Sequence, residues 1–168
     1  ERCTADAECT KRFGSPRERL DDLLQRLRQD PQRVTYRDPL TNEQREDEFT
    51  DASLAAVVRF YSYAPQLFGM LPMLLAEAAS GQFGNLMAQS RMLEQLIGEQ
   101  ISVPLLLSVM CTEDAPGLRV DPADAGTLLG TEFVEYTLAQ CAVWPRGTTP
   151  KDFHDAVRSN LPVLLLSG

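Results

Sequence analysis

Four cysteines, one histidine and a pair of acids at the end of an apolar run are the residues of this chain whose types and spacing bear on chemistry. Cys3 and Cys9 stand six apart in a polar, alanine-containing segment, while Cys111 and Cys141 stand thirty apart and each ends an apolar stretch. That arrangement suggests two disulfides, which a chain-entropy estimate values at about 2 and about 4 kcal/mol and which imply an oxidising compartment. The competing reading keeps Cys111 and Cys141 as buried free thiols that pack like small hydrophobes. Metal binding fits the sequence poorly, because no cysteine stands two to four residues from another and His154 is the sole histidine.

Glu113 and Asp114 follow directly on Leu105-Leu106-Leu107-Ser108-Val109-Met110-Cys111, the most apolar internal run. A carboxylate held at the edge of a buried element keeps its charge only with a partner, and the α-amino group of a peptide is one such partner. A helix cap or an ion pair with Arg119 is the plainer alternative. A catalytic triad is not expected within the chain. No serine stands in the G-x-S-x-G setting of a nucleophile, since Ser15 and Ser80 flank helix ends and Ser167 is followed only by Gly168. His154 lies in the polar Lys151-Asp152-Phe153-His154-Asp155 stretch, with neither a nucleophile nor an apolar enclosure beside it. Neither a phosphate loop nor a dinucleotide fingerprint is present, and no cofactor is expected.

Composition narrows the class. The chain has 168 residues, 43% of them hydrophobic and 24% charged, enough for a packed core and too apolar for a disordered chain. Lys and Arg number 16 against 24 Asp and Glu, a net charge of −8 that repels nucleic acid. Apolar runs such as Val163 to Leu166 fall far short of the roughly 20 residues that span a bilayer, so no membrane span is expected.

The elements that position these residues read as helices joined by short turns. Ser15-Pro16-Arg17-Glu18 is a capping box with Pro at the first helical position, and Leu20, Leu23, Leu24 and Leu27 repeat on one face, which predicts a helix over 16–29. Val34-Thr35-Tyr36, Asp38-Pro39 and Glu48-Phe49 predict a small charged hairpin or extended excursion, too polar for the core. Further helices are predicted from Thr50 or Asp51 to before Pro65, from about Pro72 to Ser80-Gly81, and from about Phe83 to Ile101. Leu105 to Cys111 reads as a buried helical turn or a strand. Asp121-Pro122 caps a helical pattern that continues to Trp144-Pro145, and 146–160 is a polar connector. Leu161 to Gly168 is a continuous apolar run entered through Pro162, the pattern of a parallel strand buried on both faces, yet no second parallel strand is predicted for it to join. The expectation is therefore a mainly α chain that re-enters the central sheet of a larger α/β protein.

Several of these segments together resemble one family. Cys3-x5-Cys9 before the Leu-rich helix, Asp38-Pro39, Ser108-Val109-Met110-Cys111-Thr112-Glu113-Asp114, Cys141-Ala142-Val143-Trp144-Pro145 and Leu161 to Gly168 are similar to bacterial α/β-hydrolase exopeptidases of the proline iminopeptidase and tripeptidyl aminopeptidase type. The resemblance implies a helical cap, or lid, over residues 1–160 and the start of a returning core strand over 161–168. It implies a nucleophilic serine before Glu1, and an aspartate and a histidine after Gly168. It also implies that Glu113, with Asp114 as the second candidate, binds the free amine of a peptide substrate, and that the parent enzyme is periplasmic or secreted. Tyr61, Tyr63, Phe68, Met70 and Met73 are either a side-chain pocket or cap core. The other function classes to weigh are a non-catalytic helical domain that binds a protein partner and the cap of an esterase-type hydrolase.

Overall fold

The computed structural model describes residues 2–164, and over that range the chain is mainly helical with one small antiparallel sheet. Two short helices, α1 (Arg2–Ala5) and α2 (Ala7–Phe13), open the chain where the sequence alone predicts only a polar segment. They form because Asp6, between them, accepts from the Cys9 amide at 2.9 Å and the Cys3–Cys9 disulfide clamps one to the other. Helix α3 (Pro16–Gln29) has the predicted bounds, with Ser15 Oγ accepting from the Glu18 amide and Leu23, Leu24 and Leu27 buried.

Strands β1 (Gln32–Arg37) and β2 (Gln44–Phe49) pair antiparallel with Gln32 opposite Phe49, Val34 opposite Asp47 and Tyr36 opposite Arg45. The expectation that this hairpin is too polar for the core is corrected: Val34, Tyr36 and Phe49 are buried. Side chains alternate across a strand, so the charged outer positions Arg33, Glu46 and Glu48 mask an apolar inner face. The turn is organised by Asp38, whose Oδ1 accepts from the amides of Leu40 and Thr41 at 3.0 Å each and whose Oδ2 meets Arg45 at 3.2 Å.

The Thr41 and Leu40 amides, then Arg45, hold the Asp38 carboxyl below its ordinary value. A carboxylate whose native pKa is depressed adds stability that is present above the unfolded-state value of about 3.9 and is lost as pH falls through the native value. Asp38→Asn should therefore be less stable than the parent at pH 6, with the gap closing progressively below about pH 4. Denaturation midpoints across pH for both proteins check this, and a gap that persists undiminished into acid would refute it.

Helices α4 (Asp51–Tyr61), α6 (Leu71–Ala79) and α7 (Gly84–Gln100) follow, with a single-turn α5 (Pro65–Phe68) between the first two. Thr50 caps α4 by accepting from the Ser53 amide at 3.2 Å. α6 ends at a glycine that needs left-handed backbone, Gly81 at φ 90°. Leu54, Val57, Tyr61, Leu74, Leu75, Ala78, Leu86 and Met87 join the leucines of α3 and the inner face of the hairpin in one core. The aromatic and methionine set therefore divides: Tyr61 is core, whereas Tyr63, Phe68, Met70 and Met73 are exposed. At the edge of this core Tyr36 donates to Asp47 at 2.7 Å, and Asp47 meets Arg91 of α7 at 3.2 Å, a polar tie between sheet and helix. Burial and the Asp47 carboxylate raise the Tyr36 hydroxyl above its ordinary value.

Beyond α7 the packing thins. Helix α8 (Val103–Val109), a π-helical turn (Met110–Asp114), a short 3-10 turn (Pro122–Gly126) and α9 (Glu132–Val143) follow, and α8, the π turn and the end of α9 enclose a second, smaller cluster of Leu107, Cys111, Ala115, Cys141 and Trp144. Asp121 does cap, accepting from the Ala123 amide at 2.9 Å, but it starts only the 3-10 turn, and the helix proper begins at Glu132. Arg28 of α3 ties the 3-10 turn and the loop after it to the larger core by donating to the carbonyls of Thr127 at 3.0 Å and Ala125 at 3.4 Å. Of the predicted C-terminal strand, 161–164 is irregular and joins no strand, and Leu161, Val163 and Leu164 are 75 to 80% exposed. Residues 165–168, the rest of that prediction, lie outside the described range.

Candidate functional site

Of the chemistry-bearing residues, Cys111, Cys141, Glu113 and Asp114 lie together at the end of α8. The sequence predicts a buried rod there, and the structure corrects this: Leu107 and Cys111 are buried, but Leu105 is 64% exposed, Leu106 42% and Val109 41%. Only the stripe spaced four residues apart faces α9, because one small cluster offers cover on one side of the helix. The helix then widens into a π turn, with the Ala115 amide reaching back five residues to the Met110 carbonyl at 2.8 Å. Such a turn offsets the side chains that follow from the register of the preceding helix, a geometry found often at functional sites.

Glu113 sits in that turn. It is held in place by bonds between this segment and the end of α9. Trp144 donates its indole N–H to Ser108 Oγ at 3.2 Å, Cys111 is disulfide-bonded to Cys141, and the Gly147 amide donates to Thr112 Oγ1 at 3.0 Å. A Cβ at Gly147 would lie 3.3 Å from the Thr112 methyl, a tight contact that a larger residue could make only with a small shift of that methyl. Ser108, Cys111 and Thr112 lie at helical spacings of three and four, and 141, 144 and 147 at intervals of three, so all the ties fall along one seam. That spacing was visible in the sequence, but the partners of Ser108, Thr112 and Gly147 were not.

Glu113 itself is half-buried and Asp114 is exposed. Among the described residues neither carboxylate takes part in an ion pair within 4.0 Å or accepts a side-chain hydrogen bond. Arg119, the plainer partner for Glu113, instead donates to the carbonyls of Pro116 and Leu118 at 2.9 and 2.6 Å. The result is a half-buried carboxylate on a turn braced from α9, with no cationic partner among the described residues, an arrangement that suits a cationic ligand. Exposed apolar side chains stand on both neighbouring helices: Leu105, Leu106 and Val109 on α8, and Phe133, Tyr136 and Val143 on α9.

His154 is exposed, edge-on to Phe153 with ring centroids 5.1 Å apart, and is not brought to Glu113 or to a serine by any described contact. All four cysteines are oxidised, in the pairs Cys3–Cys9 and Cys111–Cys141, which is compatible with an oxidising compartment. Among the described residues no three acids, histidines or cysteines converge as metal ligands, and no single helix is long and apolar enough to cross a bilayer. Comparison of the chain with protein-family models, with curated proteins and with solved structures finds no match.

Proposed function

We propose that this chain is the lid of a periplasmic or secreted serine α/β-hydrolase, an aminopeptidase, and that Glu113, assisted by Asp114, holds the free α-amino group of the peptide substrate. The observation that carries the reading is the half-buried Glu113, unpaired among the described residues, on a turn braced by Ser108–Trp144, Cys111–Cys141 and Thr112–Gly147. Two of the segments that resemble the exopeptidases, Ser108 to Asp114 and Cys141 to Pro145, are the two that this seam joins. Support also comes from the exposed apolar side chains Leu105, Leu106 and Val109 of α8 and Tyr136 and Val143 of α9, which suit seating on a catalytic core. In that role the lid fixes the substrate's N-terminus and excludes blocked chains, while the nucleophile and its base belong to the core.

The test is the Glu113→Gln substitution in the hydrolase that the reading requires, assayed on an aminoacyl amide with a free amine and on a short-chain ester. A charge-assisted hydrogen bond contributes about 1.5–3 kcal/mol, so cleavage of the free-amine substrate should fall about 10- to 100-fold in kcat/KM while the ester is little affected. Asp114→Asn should cost less. Equal losses on both substrates would remove Glu113 from the role. The 168-residue chain by itself should hydrolyse neither substrate, and turnover accompanied by labelling with a serine-directed fluorophosphonate would overturn the lid assignment.

A second reading draws on the same uncovered face. A helical domain that binds a separate protein would also place Leu105, Leu106, Phe133 and Tyr136 at a contact surface. It predicts an indifferent Glu113→Gln and a loss of partner binding on Leu106→Asp.

A further inference from the structure

A cavity of about 480 Å³ lies between the α1–α2 pair, the start of α3, and helices α4, α5 and α6. No residue from Val103 to Gly147 lines it, so it is separate from the Glu113 turn and stands whether or not the lid reading holds. Its volume falls within the range of small-molecule sites. The walls are Leu20, Val58, Phe68, Leu71 and Leu75, with the Cys3–Cys9 bond forming part of one side. Phe68, half-exposed and unexplained by the core, thereby acquires a place.

The charged residues that line this cavity are two cations and one acid. Arg2 and Arg17 line it, and the acid that lines it, Asp6, is already engaged by the Cys9 amide at 2.9 Å. Arg2 forms no ion pair among the described residues. Arg17 is held only by Asp21, at 2.9 Å and with both side chains in solvent, a pairing of little net worth that an incoming anion can displace. In a chain of net charge −8, an apolar hollow flanked by two arginines is a local exception. The Cys3–Cys9 bond gives that exception a fixed shape, because it clamps the short helix that bears Arg2 against α2, and α2 in turn packs on α6.

From this pocket we infer that the chain binds an amphipathic carboxylate, with the apolar part lodged against Leu20, Val58, Leu71 and Leu75 and the carboxylate between Arg2 and Arg17. Two sources share that chemistry: a medium-chain fatty acid and the C-terminal end of a hydrophobic peptide. Burial of a ten-carbon chain, offset by the cost of association, gives an expected dissociation constant on the order of 0.1 mM.

The experiment titrates the full 168-residue chain with decanoate below its micelle concentration, with decanol, and with acetyl-Leu-Leu as the free acid and as the amide. Binding is followed by calorimetry and by methyl NMR shifts. Saturable decanoate binding that moves the methyls of Leu20, Val58, Leu71 and Leu75 is expected, with decanol weaker. Acetyl-Leu-Leu acid binding better than its amide assigns the site to peptide C-termini; decanoate binding alone assigns it to fatty acids. The double substitution Arg2→Gln, Arg17→Gln, both on the surface, should weaken the anion about 5- to 10-fold and leave decanol unchanged. Binding of neither anion, equal binding of decanol and decanoate, indifference to the arginine substitutions, or shifts confined to the methyls of α8 and α9 would each overturn the inference.

Discussion

Phe49→Ala is expected to remove about 3–5 kcal/mol from the stability of this chain, a large share of the roughly 5–15 kcal/mol that a domain has. Phe49 is fully buried at the end of β2, its ring centroid 5.7 Å from that of Phe83 at the entrance to α7. The next residue, Thr50, caps α4. One side chain thus secures the hairpin to the core while its neighbour sets the start of the following helix. Truncating it leaves a cavity bounded by both, and neither element can close the space without giving up its own hydrogen bonds. Thermal midpoints should fall on the order of 10 °C, whereas Phe49→Leu, which keeps most of the volume, should fall much less. A loss below about 1 kcal/mol for the alanine variant would mean that the hairpin is not seated on the helices as described.

The position of Phe49 also shows why the hairpin is harder to read from sequence than the helices. Helix α3 is signalled three times over, by Ser15 and Glu18 at its cap, by Pro16 at its first turn and by leucines on one face, and its observed bounds match those signals. α4, α6 and α7 are legible for the same reason, within a residue or a few at each end. In Gln44–Phe49, by contrast, acids and an arginine occupy both faces of a six-residue strand, and only the pairing of Gln32 with Phe49 and Val34 with Asp47 shows which face is inward. α1 and α2 are stabilised by a disulfide and a capping aspartate rather than by an apolar stripe, so periodicity gives no sign of them. The run from Leu105 to Val109 misleads in the opposite direction. Its composition predicts burial, but burial needs a second surface, and the described residues supply one only for Leu107 and Cys111. At the candidate site the residue types and the cysteine pairing were legible. The absence of a cation beside Glu113 among the described residues was not, because it depends on where Arg119 turns its guanidinium.

Replacing Cys111 and Cys141 together by alanine is expected to melt α8, the π turn and α9 while leaving the larger core folded. The bond closes a loop between residues 30 apart in sequence, for which chain entropy gives about 4 kcal/mol. The cluster it holds consists of Leu107, Ala115, Trp144 and the two cysteines, too little apolar surface to order two short helices without a covalent tie. The core built on α3, α4, α6 and α7 contains none of these residues and should not sense the loss. Amide hydrogen exchange reads the two apart: protection over α8 and α9 should drop on the order of a thousandfold, with amides of α3, α4 and α7 little changed. Uniform loss across the chain would show that the two clusters unfold as one unit, and unchanged protection would show that the Ser108–Trp144 and Thr112–Gly147 bonds suffice without the disulfide. If the chain is the proposed lid, then because Glu113 lies two residues past Cys111 the same double substitution in the parent hydrolase should also abolish its preference for free-amine substrates. If exchange shows the turn melted while that preference survives, the amine is held elsewhere, and the braced turn is architecture rather than a binding site.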